Sequence, residues 1–250
     1  MAPPRSSRAF ALARTAAFVG YTSGTLLRYE LHERLVHQHA RNALLERYRR
    51  RYGRDVLRLF GVRWSANAEP PPGEGPRLVV ANHRSAIDIA LLLGLFGGHV
   101  LSRADVSGWP LLGQVARRAG TIFVDRGDRR SGAGAIRAIR RLLTGGATVI
   151  VFPEGTTHPG DEVRPFLPGA FAAVRGLDAQ IVPVGLAYEP GAEYVGMSFG
   201  AHLASIAARP QSTAAASVGE PLPAEGASAT LAERSREAVQ GLVYDARRRL

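Results

Sequence analysis

Arg77-Leu78-Val79-Val80-Ala81-Asn82-His83-Arg84-Ser85-Ala86-Ile87-Asp88 decides how this chain is read. An apolar run of strand length ends at Asn82-His83, and a second apolar run of helix length begins at Ala86. A strand over 77–82 followed by a helix over 86–94 is the first half of a βα unit. The junction also carries chemistry, because His83 and Asp88 stand five residues apart. A neutral imidazole takes a proton from an alcohol near neutral pH, and a buried carboxylate holds the tautomer that this needs. Ser85 and Asp88 also have the spacing of a capping box, in which an acid three residues past a serine helps to start a helix. The junction alone leaves both readings standing.

Outward from it, strands and helices alternate. Strands are expected at 99–103, 121–124, 147–152, 181–187 and near 216–218, with a short one opening at Gly61-Val62-Arg63-Trp64. Helices are expected at 113–119, 132–144, 169–175 and 230–249; Ile136, Ile139, Leu142 and Leu143 give the second of these an apolar side. Repeated βα units predict an α/β domain with a mostly parallel mixed sheet flanked by helices. Pro183, inside the apolar strand Ile181-Val182-Pro183-Val184-Gly185-Leu186-Ala187, suggests an edge position or a bulge there.

The first 60 residues read differently and divide from an expected domain over 61–250. Residues 1–8 look disordered. Residues 9–27 are semi-apolar but interrupted by Arg14, too short and too polar for a confident span. A helix lying in the membrane interface is the preferred reading, with a helix packed on the domain surface as the alternative. Residues 28–60 carry helical spacing at Leu44, Tyr48 and Tyr52, and the run Arg47-Tyr48-Arg49-Arg50-Arg51 suits either anionic lipid or solvent. Pro70 to Pro76 reads as a loop.

Among 250 residues, 46% are hydrophobic, enough for a sizeable core. Cysteine is absent, which excludes disulfides, cysteine metal sites and thiol nucleophiles. The net charge of +11 rests on arginine alone, since there is no lysine. Such a charge favours polyanions, and nucleic acid and an anionic membrane surface compete. Finger spacings, aromatic RNA-binding strands and a basic recognition helix are missing, so no nucleic-acid partner is expected.

Two further stretches carry candidate chemistry. Gly120-Thr121-Ile122-Phe123-Val124-Asp125-Arg126 delivers Arg126 to the C-terminal end of a strand, where open α/β sheets place ligands. Its permanently charged donor fork suits a phosphate, although an Asp-Arg pair there is also a common local ion pair. Val151-Phe152-Pro153-Glu154-Gly155-Thr156-Thr157 turns out of an apolar strand and exposes a carboxylate and backbone amides; Glu154 is a candidate acceptor for a substrate hydroxyl, and Gly155 permits close approach.

In this order and spacing the stretches resemble the glycerolipid acyltransferase family, over about residues 62–222. The family's Asn-His-x4-Asp is matched by Asn82, His83 and Asp88, its Gly-x-x-Phe-x-Asp-Arg by Gly120, Phe123, Asp125 and Arg126, and its Phe-Pro-Glu-Gly-Thr by Phe152 to Thr156. The fourth block is the strand around Pro183, and Ser102 to Gly113 is similar to the family's connection between the first two. The resemblance implies an O-acyltransferase moving a fatty acyl group from acyl-CoA or acyl carrier protein to a lysophospholipid, with 1-acylglycerol-3-phosphate as the leading acceptor and a lyso-aminolipid as the alternative. A non-catalytic lipid-binding protein is the reading from another class. On this resemblance His83 is the general base oriented by Asp88, and the hydroxyl attacks the thioester directly. That fits a chain without cysteine. Arg126 holds the acceptor phosphate, Glu154, Gly155 and Thr156 position the glycerol or oxyanion region, and Arg103 keeps a charge that the family often supplies as lysine. No metal or cofactor is implied, and the place of work is the cytoplasmic face of the cell membrane. One departure is Phe166-Leu167-Pro168-Gly169, which lacks a basic residue many members have there, with Arg164 as the candidate replacement.

Overall fold

The strand that opens the motif runs through the middle of the sheet because both of its faces are apolar. Val79 and Ala81 enter one core, Leu78 and Val80 the other. The computed structural model describes residues 5–70 and 75–250. The expected disorder of 1–4 and most of the proline-rich loop therefore lie outside the described residues, while Arg5 already begins a helix. Two helices, α1 (Arg5–Leu35) and α2 (Arg41–Leu59), lead into β1 (Val62–Ala66), β2 (Arg77–Ala81), α3 (Ile87–Phe96), β3 (His99–Arg103) and α4 (Leu112–Arg118). After them come β4 (Ile122–Val124), α5 (Arg129–Thr144), β5 (Thr148–Val151), β6 (Gln180–Tyr188), α6 (Phe199–Ala207), β7 (Ser212–Val218), β8 (Leu222–Pro223) and α7 (Ser228–Arg247).

The strands lie in the order β1-β7-β6-β2-β5-β3-β4, with β8 beside β6. Neighbours are parallel except β6 with β7 and β6 with β8, so the expected mostly parallel mixed sheet is present. α1, α2, α3 and α6 cover one face, α5 and α7 the other. α5 shows why a helix forms there. Ala135, Ile139 and Leu143 recur every four residues on the buried side, and Asp128 caps the first turn by accepting from Arg130 N at 2.9 Å.

Two local expectations are corrected, and one helix lies outside them. Pro183 lies in an interior strand, not at an edge. Its carbonyl accepts from Gly219 N at 3.0 Å, so its nitrogen faces the same side, where pairing passes from β8 at Ile181 to β7 at Val184. No ladder donor is required at that switch. Residues 169–175 form only a short 3-10 turn, Ala170–Ala173, because Pro168 precedes it and Gly176, at φ 68°, turns the chain away. α6 was not anticipated. Its signal was present in Ser198, whose Oγ accepts from Ala201 N at 3.2 Å, and in the spacing of Phe199, Leu203 and Ile206.

The N-terminal helices share the core of the sheet. Phe18, Leu57 and Phe60 pack in the same cluster as Val79 and Leu91. α2 and α3 approach so closely at Gly53 that a Cβ there would lie 2.4 Å from Ala90 O. Arg14, the charge interrupting 9–27, donates to Phe60 O at 3.0 Å, Arg209 O at 2.5 Å and Pro210 O at 3.0 Å, holding α1 against the ends of α2 and α6. The basic run at 47–51 does not form one lipid-facing patch. Arg49 is buried on Ala119 O at 2.6 Å, Arg50 reaches Leu95 O at 2.5 Å, and Arg51 pairs with Asp55.

Candidate active site

β2 ends immediately before Asn82, and that residue fixes the junction. Its amide donates to Leu186 O at 2.9 Å and accepts from Leu186 N at 2.8 Å, tying the end of β2 to β6. His83 then turns out of the sheet and stacks on Phe152, ring centroids 4.1 Å apart. Its Nδ1 meets Asp88 Oδ2 at 2.6 Å. A carboxylate accepts, so Nδ1 carries the hydrogen and Nε2 keeps the lone pair, the arrangement of a general base.

Asp88 is fully buried on the first turn of α3. Besides His83, Oδ2 accepts from Arg84 N at 2.7 Å and Ser85 N at 2.9 Å. Half of the capping box thus forms, since Asp88 reaches back to Ser85 N. In the other half, Ser85 Oγ accepts from Ile87 N at 3.4 Å instead of Asp88 N, and lies 3.1 Å from His202 Nε2. Base-orienting and helix-starting roles coincide in one carboxylate.

Glu154 departs from its expectation as a substrate contact. Its side chain has no exposed surface and forms a buried ion pair with Arg84, whose Nη1 lies 2.8 Å from Oε1 and 3.0 Å from Oε2. Oε1 also accepts from His83 N at 2.9 Å, and Oε2 from Arg164 N at 3.2 Å. Arg84 further donates to Gly160 O and Glu162 O. Glu154 and Arg84 lock the loop after β5 onto the loop after β2. The Arg164 side chain pairs with Glu162 at 3.6 Å.

His83 borders a cavity of about 430 Å³. Apolar parts of Phe18 and Tyr29 from α1, Tyr52 and Val56 from α2, and Ile89 and Leu93 from α3 form its inner wall. Gly155, Thr156, Arg126 and Arg103 also line it, whereas Asp88, Arg84 and Glu154 do not. Asp125 does not pair with Arg126; its Oδ1 accepts from Gly127 N at 2.9 Å. Among the described residues Arg126 has no acidic partner, while Arg103 pairs with Asp105 at 3.0 Å. Partial burial, and then repulsion from Arg103, lower the pKa of Arg126 from its ordinary value. Gly155 adopts φ 88°, and a Cβ there would stand 2.8 Å from Arg126 Nη1, so glycine lets the guanidinium lie against the turn.

Two further residues at the site escaped the sequence reading. Tyr188, the last residue of β6, donates its hydroxyl to Asp88 Oδ1 in a short hydrogen bond. Burial, then the Asp88 charge, push that phenol well above its ordinary value. His202 of α6 is buried, accepts from Ala86 N at 3.2 Å and stacks on Tyr194 at 4.8 Å. Burial lowers its pKa to about 4, and His83 adds to the effect against the opposing pull of Asp88.

A sequence model of the acyltransferase family matches residues 62–187, half of the 250-residue chain. The lyso-ornithine lipid O-acyltransferase of Pseudomonas aeruginosa is 33% identical over 183 residues, covering 67% of this chain and 69% of that protein. The 1-acyl-sn-glycerol-3-phosphate acyltransferase of Neisseria meningitidis serogroup B is 30% identical over 136 residues, covering 54% of this chain. That match spans about half of the Neisseria relative's length, 53%. The crystal structure of the 1-acyl-sn-glycerophosphate acyltransferase PlsC from Thermotoga maritima shares the fold, with a TM-score of 0.72 at 20% identity over 96% of this chain and 94% of that one. From Val62 to Ala187, through the His83–Asp88 junction and the Phe152–Thr156 turn, the chain belongs to the acyltransferase family.

Proposed function

We propose that the protein transfers a fatty acyl group from an acyl-CoA or acyl carrier protein thioester to the free hydroxyl of a lysophospholipid, converting 1-acylglycerol-3-phosphate to phosphatidic acid. The observation that carries this reading is His83, fixed through Nδ1 by Asp88 at the wall of an apolar cavity that Arg126 also lines. Nε2 takes the proton of the acceptor hydroxyl as its oxygen attacks the thioester carbonyl. The tetrahedral intermediate collapses, the carbon–sulfur bond breaks, and the thiolate leaves with the proton that His83 returns. Asp88 stabilises the imidazolium between these steps. The apolar wall takes an acyl chain, and Arg126, beside Arg103, Gly155 and Thr156, takes the acceptor phosphate.

Mass analysis of products from defined lyso-acceptors and mixed acyl donors tests this reading. Phosphatidic acid is the expected product, and no acylated product from any acceptor would reject it. Product from lyso-ornithine lipid alone would favour a second reading, in which a lyso-aminolipid carboxylate meets Arg126. The similarity to the Pseudomonas relative supports that alternative. Arg126→Ala is expected to raise the acceptor KM by about 10- to 100-fold, the scale of a charged hydrogen bond, and to leave the donor KM within about twofold. An equal rise in both would remove Arg126 from the acceptor's site.

We place this activity at a membrane surface, on the cytoplasmic face. α1 buries Phe18, Thr22 and Tyr29 on one side, exposes Leu27 and Leu31 on the opposite side, and exposes Leu12 and Val19 on its flank. Among the described residues no helix is long and apolar enough to cross a membrane. Co-sedimentation with anionic phospholipid vesicles is expected for the parent and weakened by Leu12→Glu with Leu27→Glu. Equal sedimentation of both proteins would discard α1 as the contact.

A further inference from the structure

We infer that Tyr188 is a positioning residue of the His83–Asp88 pair, its hydroxyl setting how strongly Asp88 supports His83 as a base. The inference rests on the reading of His83 given above. Asp88 divides its acceptors unequally, with three N–H donors on Oδ2 and the Tyr188 hydroxyl on Oδ1. Both residues are buried, so the Tyr188 hydroxyl is the donor that stabilises the charge on Oδ1. The phenol stays protonated, and therefore donating, far above neutral pH.

The placement of Tyr188 is rigid. Its backbone pairs with Ala214 of β7, and its carbonyl accepts from Arg247 of α7 at 2.5 Å. The register of β6 on β2 places it beyond Val184, the partner of Ala81, on the side where the His83 loop leaves the sheet. It also stands one residue past the segment that the family model matches. Three other charged or titratable groups face the pair. Arg84 is committed to Glu154, Glu154 to Arg84 and His83 N, and His202 remains neutral down to about 4.

The direction of the effect follows from charge. A donor on Oδ1 draws electron density from Oδ2 and makes Asp88 a weaker partner for a protonated His83. Removing the donor strengthens that partner and so favours the charged ring. The acidic limb of the kcat/KM profile, where His83 must lose its proton, then moves to higher pH.

Tyr188→Phe is expected to move that limb up by about 0.5–1 unit, part of the value of one hydrogen bond to a charged group. Replacing Tyr188 by 3-fluorotyrosine keeps the hydroxyl and makes it a stronger donor, and is expected to move the limb down. Opposite displacements support the inference. Limbs that coincide with the parent's, or that move in the same direction, overturn it. If Tyr188→Phe does not fold, the fluorotyrosine protein decides by itself. Activity that survives His83→Ala rejects His83 as the base. Loss of activity in His83→Ala with unmoved limbs rejects the role of Tyr188 alone.

Discussion

His83→Ala is expected to lower the rate of acyl transfer by at least about a hundredfold, the least that a positioned general base contributes. The loss should be chemical. The ring is partly exposed, and its removal opens a gap beside Phe152 at the cavity wall without stripping a buried partner of every contact. Asp88 keeps Arg84 N, Ser85 N and the Tyr188 hydroxyl, so the turn into α3 remains satisfied. Thioester consumption measured with saturating donor and 1-acylglycerol-3-phosphate reads the rate, and a denaturant titration checks the fold. Full activity in a folded variant would sink the mechanism.

The largest effect on stability is expected at Glu154. Glu154→Ala leaves the Arg84 guanidinium buried without its counter-charge, a loss of about 3–5 kcal/mol for a broken buried pair. Arg84 would retain the carbonyls of His83, Gly160 and Glu162, which satisfy N–H groups but do not neutralise it. His83 N would also lose its acceptor, so activity should fall together with stability. Glu154→Gln keeps part of the hydrogen bonding and should cost less. A Glu154→Ala protein within about 1 kcal/mol of the parent in denaturant unfolding would show that the pair is not a structural clasp.

That role for Glu154 marks where local sequence stops being informative. The Phe-Pro-Glu-Gly-Thr turn was legible, but the carboxylate's partner is Arg84, 70 residues earlier, at a position that the motif leaves unspecified. The central strands were readable because β2, β5 and β6 are apolar on both faces. The place of Arg126 at the cavity was readable because it follows a strand directly, and the sheet carries such residues to its C-terminal edge. Tyr188 and His202 were not, because only the register of β6 and the docking of α6 bring them to Asp88 and to the 85–86 turn. Pro183 misled for a similar reason. Its tolerance depends on where one neighbouring strand ends and another begins, which no window around the proline contains.

α1 is at once a wall of the cavity and, through its opposite side, an outward apolar face. Its inner residues Phe18 and Tyr29 and its outer residues Leu27 and Leu31 are therefore separated by one helix, about 10 Å across. Arg14 pins this partition to the carbonyls of Phe60, Arg209 and Pro210, so its distance from the sheet is set by the fold. When the outer face rests on a bilayer, the reaction chamber lies a single helix diameter from the hydrocarbon. On the proposed membrane seating, that diameter is the length of the step a lipid substrate makes between bilayer and chamber.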